Sequence, residues 1–342
     1  MTVLRLGTRR SALATAQSQQ VADAVTAASG LSVELVPIVS EGDVSRASLA
    51  SLGGTGIFAN RLREALRAGE CDFLVHSLKD LPTAQPDDLV IAATPVRADP
   101  RDVVITRDGT PLHALKPGST VGTGSPRRVA QVRRRNRRVD VHDIRGNVDS
   151  RLRRVVDGEL DAVILAAAGL LRLGADPMGL QLETLGIAEW PTAPGQGALA
   201  VETTADAHPA LLAALAVLDD LPTRLAVTAE RTVLAELEAG CSAPVGVHAE
   251  VGIDDFRVRA VVYALDGSSR VGEDATFALA GTETLGGRHN PASGYSRGQG
   301  SGNGADAADG DDPIAQSVRA GLSVAHRLLD HGAADLVPRE SP

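Results

Sequence analysis

Hydrophobic and polar positions follow two rhythms along this chain, and each change of rhythm marks an element. Val3–Leu6 is a short apolar strand ending at Gly7-Thr8-Arg9. From Ser11, the residues Leu13, Ala14, Ala16, Val21 and Val25 recur at helical spacing as far as Gly30. Val33–Val39 returns to a period of two and is β-rich. A glycine-bearing loop (52–58) leads to a helix over about 59–68, and a buried strand at 72–76 delivers Ser77-Leu78-Lys79-Asp80 at its end. The order β-α-β-α-β predicts a parallel sheet with crossover helices.

The rhythm repeats after a proline-bearing crossover at Pro95–Asp102. Strands are expected at 103–106, 119–122, 139–143 and 161–165, and helices at 126–135, 147–156 and 166–173. A second crossover, 191–197, is followed by a strand at 198–202 too isolated to found a domain, which is expected to rejoin the first sheet. Helices at 208–218 and 223–238 lead to Gly240-Cys241. Strands at 245–251, 256–264 and 271–278 read as a small antiparallel sheet covered by a helix at 314–331. The Gly/Ser/Asn/Asp-rich stretch 280–312 reads as a disordered insertion. The domains expected are 1–95 with 196–217, then 100–191, then 218–342. Two α/β lobes joined by two crossovers describe a hinged cleft. Arg9, Asp43, Ser77–Asp80, Ser125–Arg128 and Arg145 all follow predicted strands, where ligands of such sheets lie.

Charge sharpens this picture. Residues 122–154 hold eleven arginines and three aspartates, +8 within a 342-residue chain of formal charge −9. Arginine's planar fork holds carboxylates or phosphates in fixed orientation, so an anionic ligand is expected. Nucleic acid is disfavoured, because none of the seven aromatic residues falls in this stretch to offer a stacking platform. Only Lys79 and Lys116 are lysines; salt adaptation and codon bias both account for that. No apolar run approaches the roughly 20 residues of a membrane span, and no signal-peptide pattern opens the chain, so a cytoplasmic location is expected. Two cysteines, Cys71 and Cys241, give neither a disulfide framework nor a metal cluster.

Three motifs carry candidate chemistry. In Gly122-Thr123-Gly124-Ser125-Pro126-Arg127, a tight turn meets an N-cap serine and an N1 proline, which presents free amides to an anion or simply caps a surface helix. In His76-Ser77-Leu78-Lys79-Asp80, the carboxylate is a candidate proton carrier or half of a surface ion pair. Cys241 lies on a loop between a helix and a strand with no neighbouring histidine base. It reads as a structural cysteine or as a thiol kept for covalent attachment, not as a protease-like nucleophile.

Together the stretches LGTRRSALA (6–14), GTGIF (54–58), VHSLKDLP (75–82), DPRD (99–102), VGTGSPRR (121–128), IRGNVDSRL (144–152), PGQGALAVE (194–202) and GCSAPVG (240–246) resemble the porphobilinogen deaminase (hydroxymethylbilane synthase) family. The resemblance implies two hinged, periplasmic-binding-protein-like α/β domains plus a small α+β C-terminal domain. It implies the head-to-tail condensation of four porphobilinogen molecules, each losing ammonia, on a dipyrromethane cofactor joined by a thioether to Cys241. By position, Asp80 is the catalytic carboxylate. Lys79, Ser77, Thr123, Ser125, Arg127, Arg128 and Gln196 would hold the cofactor, and Arg9, Ser11, Phe58, Arg145, Arg151 and Arg172 the substrate. The partners implied are porphobilinogen alone, with no metal, nucleic acid or membrane, and the chain is expected to be a monomer. Thr55 stands where many members carry lysine, and Glu41 where a basic residue often precedes Gly-Asp. The rival reading is a non-catalytic hinged anion-binding protein, which would need the arginines but not Asp80 or Cys241.

Overall fold

The structure, a computed structural model, describes residues 3–39, 57–240, 243–279 and 312–337. Two five-stranded sheets are built alike. The first contains β1 (Leu4–Arg9), β2 (Val33–Ile38), β3 (Phe73–Ser77), β4 (Leu89–Ala93) and β10 (Leu199–Thr204), in the order β2-β1-β3-β10-β4. The second contains β5 (Asp102–Thr106), β6 (Thr120–Gly122), β7 (Asp140–His142), β8 (Ala162–Ala166) and β9 (Gln181–Thr184), in the order β7-β6-β8-β5-β9. In each, four strands run the same way and the fifth, β10 or β5, runs antiparallel to both its neighbours.

The parallel arrangement expected for the β-α-β-α-β stretch is present in β1, β2 and β3, and each sheet adds one antiparallel strand whose direction the pattern did not reveal. Each antiparallel strand enters its sheet from the other lobe, through a crossover, so it arrives from the end where the parallel strands finish. As expected, β10 rejoins the first sheet, pairing with β3 from Leu199 opposite Ser77. The pattern missed β4 and β9. The first is a five-residue apolar run with no alternation, and the second is a short, largely exposed edge strand.

Caps set the helix ends. In α1 (Ala12–Ser29), Ser11 accepts from the amide of Ala14 and Gly30 closes the helix in the left-handed region. The next helices are α2 (Ile57–Arg67), α3 (Pro126–Arg135), α4 (Val148–Val156), α5 (Ala167–Leu173) and α6 (Pro209–Ala216). Asn147 caps α4 by accepting from Ser150. Asp220 accepts from Thr223 and so starts α7 (Leu221–Glu236) two residues earlier than the apolar pattern suggested. The third sheet, β11 (Val245–Val251), β12 (Asp255–Tyr263) and β13 (Arg270–Ala278), is an antiparallel meander. Its inward residues Val247, Val258, Ala260 and Val262 pack with Val324, Ala325 and Leu328 of α8 (Pro313–Asp330) in one apolar core.

The two crossovers lie against each other. The Ala98 amide donates to Gly197 O at 3.2 Å. A Cβ on Gly197, whose φ is +89°, would stand 2.5 Å from Ala98 O, so only glycine fits without displacing backbone. Buried Glu230 of α7 pins this hinge to the third sheet. It pairs with both ends of the Arg97 guanidinium and accepts the amides of Gly195 (2.6 Å) and Ala249 (2.8 Å).

Candidate active site

Four of the expected residues, Lys79, Arg127, Arg128 and Gln196, gather around one buried carboxylate, Asp102, the first residue of β5. It is 0% exposed and accepts four hydrogen bonds. Oδ2 receives Arg127 Nη2 (2.9 Å) and Trp190 Nε1 (2.9 Å); Oδ1 receives Arg128 Nη2 (2.6 Å) and Gln196 Nε2 (2.8 Å). Burial alone would raise its pKa, but Arg127 and Arg128 override this and hold the carboxyl well below the usual range.

Arg127 and Arg128 open α3, which Ser125 caps by accepting from the Arg128 amide and which Pro126 begins. Arg127 is fully engaged at its terminal nitrogens, which also reach Gln131 Oε1 (2.6 Å) and Pro191 O (3.1 Å). It therefore stands behind Arg128 rather than beside it. Arg128 also donates to Ile164 O (3.1 Å) and reaches Gln196 Oε1 (3.4 Å). The same Gln196 oxygen accepts from Lys79 Nζ at 3.4 Å. Gln196 thus joins a lysine of the first lobe, an arginine of the second and the hinge itself. Burial, reinforced by Arg128 and opposed by Asp80, pushes Lys79 down to about 8.

The other expected residues lie on strand ends, turns and helix starts of the two lobes. Lys79 and Asp80 sit on a 3-10 turn directly after β3, with Asp80 exposed. Arg151 is pushed down first by burial and then by Arg128 and Arg145, so these three guanidinia share one field. Arg145 is exposed, on the turn before α4. Thr123 is buried and accepts from the Ser125 amide at 3.3 Å. Ser77 is bonded to Gln17 of α1. Arg9 ends β1, and Ser11 caps α1. Arg172 is turned to the hinge, where Nη2 donates to Gly197 O at 2.7 Å. Cys241 and the side chain of Phe58 lie outside the described residues, as do Glu41, Asp43, Thr55 and the 280–311 part of the insertion.

The cluster fits an anion with several carboxylates. Lys79, Arg127 and Arg128 converge on one compensating carboxylate, and Arg145 and Arg151 add charge beside it. The buried Nε atoms of Arg127, Arg128 and Arg172 have no partner. A hollow of about 640 Å³ elsewhere, lined by Arg133, Arg137, His142, Asp140 and Asp266, offsets its two arginines with two aspartates and lies outside this constellation.

Comparisons with known proteins identify the family. Residues 4–211 match the model of the porphobilinogen deaminase dipyromethane cofactor binding domain, and residues 224–288 match that of the porphobilinogen deaminase C-terminal domain. The chain belongs to the porphobilinogen deaminase family. It is 56% identical over 282 residues to porphobilinogen deaminase 1 of Streptomyces avermitilis, covering 78% of this chain and 86% of that one. It is 47% identical over 339 residues to the porphobilinogen deaminase of Leifsonia xyli, covering 98% and 94%. Among solved structures, the methionine binding protein MetQ aligns at 14% identity and a TM-score of 0.40 over 63% of this chain and 90% of that one. The periplasmic-binding-protein-like class is carried by the sheet order and the family, not by that likeness.

Sequence reasoning missed the hub. Asp102 was visible only as the last letter of DPRD, and its signal was an acidic residue opening an apolar strand, Asp102-Val103-Val104-Ile105. Trp190 and Gln131 carried no signal beyond the first being the chain's single tryptophan.

Proposed function

We propose that Asp80 and Cys241 carry, in this chain, the reaction of the porphobilinogen deaminase family. The enzyme is a transferase that condenses four porphobilinogen molecules into hydroxymethylbilane. Each condensation breaks the substrate's aminomethyl C–N bond, releases ammonia, forms a C–C bond to the terminal pyrrole and frees one proton from that pyrrole's α-carbon. The dipyrromethane cofactor supplies the pyrrole on which the first bond forms.

The protein's part is proton handling and charge. Asp80, on the turn after β3, protonates the departing amine and then, as carboxylate, faces the cationic pyrrole nitrogens. Arg128, Lys79 and Gln196 take the cofactor's acetate and propionate groups, with Arg127, Ser77, Thr123 and Ser125 in support. Arg9, Ser11, Arg145 and Arg151 take those of substrate and growing chain, with Phe58 and Arg172 at the edges of the cleft. The observation that carries this reading is the junction of Lys79, Gln196 and Arg128 over buried Asp102, an acid-compensated cation cluster beside the turn that bears Asp80.

The domain divisions proposed are 1–95 with 196–217, 100–191 and 218–342, supported by one sheet in each. We also propose a monomer that acts in the cytoplasm on porphobilinogen without nucleic acid or membrane; no helix among the described residues is long and apolar enough to cross a membrane.

Intact-mass spectrometry tests the attachment. The purified chain is expected to exceed its polypeptide mass by two linked pyrrole units, and Cys241→Ser to lack the excess. A bare mass in both after incubation with porphobilinogen removes the attachment chemistry and leaves an anion-binding protein. For Asp80→Asn, the cofactor is expected to be retained while turnover falls by about 10²–10⁴-fold, the usual worth of a positioned acid. Near-normal turnover ends that assignment.

A further inference from the structure

The two oxygens of Asp102 face different partners. Oδ1 serves Arg128 and Gln196, the two residues that also meet at Gln196 Oε1 beside Lys79. Oδ2 serves Arg127 and Trp190 on the side away from Lys79 in the bonding chain, with Arg127's other terminal nitrogen held by Gln131 and Pro191. Behind Arg127 the chain of bonds continues. Its Nη1 donates to Gln131 Oε1 at 2.6 Å, and Gln131 Nε2 donates to Pro191 O (2.9 Å) and to the Tyr263 hydroxyl (3.3 Å). Tyr263 ends β12 of the third sheet and is 1% exposed.

The backbone enforces this seat. The turn after β12 presses on α3 at Gly267, where a Cβ would lie 2.7 Å from Ala130 O and 2.8 Å from Arg134 N. Gly267 also has a φ of +72°, so this approach admits little but glycine. Arg133 Nη1 closes the contact by donating to Leu265 O at 3.0 Å. Ala130, Val261 and Tyr263 form a small apolar cluster of their own beneath it.

We infer that Gln131 and Tyr263 are positioning residues for the arginine pair: the docked third sheet fixes Gln131, Gln131 fixes Arg127, and Arg127 orients Asp102, so that Arg128 and Gln196 face the ligand carboxylates. Neither residue touches the ligand itself. A planar guanidinium with both terminal nitrogens committed cannot swing, and a carboxylate held on Oδ2 from two directions cannot rotate its Oδ1 away. The third sheet, which supplies none of the cations of the cluster, therefore still sets the geometry of the anion site. This rests on the reading that Arg128 and Gln196 hold carboxylates.

The chain's single tryptophan supplies the probe, because Trp190 Nε1 is bonded to Asp102 Oδ2. Gln131→Leu, Tyr263→Phe and Arg128→Met would be made in the holo-protein. Cofactor mass, KM and kcat for porphobilinogen, and Trp190 emission would be recorded well below each Tm. Gln131→Leu is expected to raise KM about tenfold, the loss of one hydrogen bond to a charged group, with a smaller fall in kcat and a shift in Trp190 emission. Should that variant not fold, Tyr263→Phe decides. It deletes one oxygen, and is expected to raise KM about threefold, which is about 0.65 kcal/mol, the low end for a neutral hydrogen bond, with the same emission shift. A fall in Tm with KM and emission unchanged in the variant that decides overturns the inference and leaves a packing role. If Arg128→Met also leaves KM and cofactor retention unchanged, the underlying carboxylate reading has failed; if Arg128→Met impairs them, only the positioning inference has.

Discussion

The two α/β lobes share a strand order and each carries one fully buried carboxylate on its antiparallel strand, yet the two carboxylates serve different ends. Asp102 is the first residue of β5, where the strand leaves the hinge, and its partners are Arg127, Arg128, Trp190 and Gln196. Glu202 is the fourth residue of β10, deep in its sheet, and its partners are Arg63 of α2, His76 of β3 and Gln85. In a shared architecture, position along the strand decides the role. A buried acid at the cleft end collects cations that a ligand can also use, whereas one in mid-strand collects cations that only the core can use.

The largest effect expected from breaking this contrast is at Asp102. Asp102→Ala leaves Arg127 and Arg128 buried without their counter-charge, a loss of about 3–5 kcal/mol for a broken buried pair. Cofactor attachment is expected to fail with it. Denaturant unfolding and intact mass read the two consequences. A variant that stays as stable as the parent and keeps its cofactor would dissolve the distinction between the lobes.

Glu202→Gln is the matching change in the other lobe. It keeps the shape but removes the charge facing Arg63, so about 1.5–3 kcal/mol of stability is expected to go, the range for a hydrogen bond to a charged group. Cofactor mass and KM should hold, since none of its partners reaches the cleft cluster. A raised KM at unchanged kcat would show that the mid-strand acid also shapes the site.

The legibility of the chain follows the same division. Some signals are local, so α3 was readable from its cap Ser125 and from Pro126, α1 from the helical spacing of Leu13, Ala14, Val21 and Val25, and the return of β10 from its isolation in the sequence. The cleft residues were readable because they follow strands, and because their motifs resemble a family. The hub was not. Asp102, Gln131, Trp190 and Tyr263 are scattered over four elements or connections, and only the tertiary contact of α3 with the hinge and the third sheet makes them one network. The antiparallel direction of β5 and β10 was equally hidden, because local alternation does not tell which end of a sheet a strand enters.

Acid distinguishes the lobes more gently. Burial would raise the Glu202 pKa, but bonds from His76 and Arg63 hold it at about 2 against an ordinary 4.5. A depressed folded-state pKa gives stability that is complete above the unfolded value and is lost as pH falls through the folded one. Stability is therefore expected to decline between roughly pH 4.5 and 2, by up to about 3 kcal/mol from this group. Glu202→Gln should flatten that part of the profile while Asp102, also depressed, keeps the rest. An acid limb identical in parent and variant would mean that Glu202 titrates alike folded and unfolded.

The smallest expected effect separates the two cysteines by the regions they occupy. Cys71 lies in the core of the first lobe, 2% exposed, with its sulfur 2.7 Å from where a Gly7 Cβ would be. Burial and the neighbouring Asp72 push its thiol up to about 11. At pH 8 only on the order of one molecule in a thousand carries the thiolate there, against about a quarter for a free thiol. Iodoacetamide is therefore expected to leave the native holo-protein essentially unmodified. After unfolding, one thiol should react if Cys241 is held in a thioether, and two if it is not. Rapid alkylation of Cys71 in the folded chain would mean that the first lobe opens at β3, beside the turn that carries Asp80, and that its core is less rigid than the hub of the second.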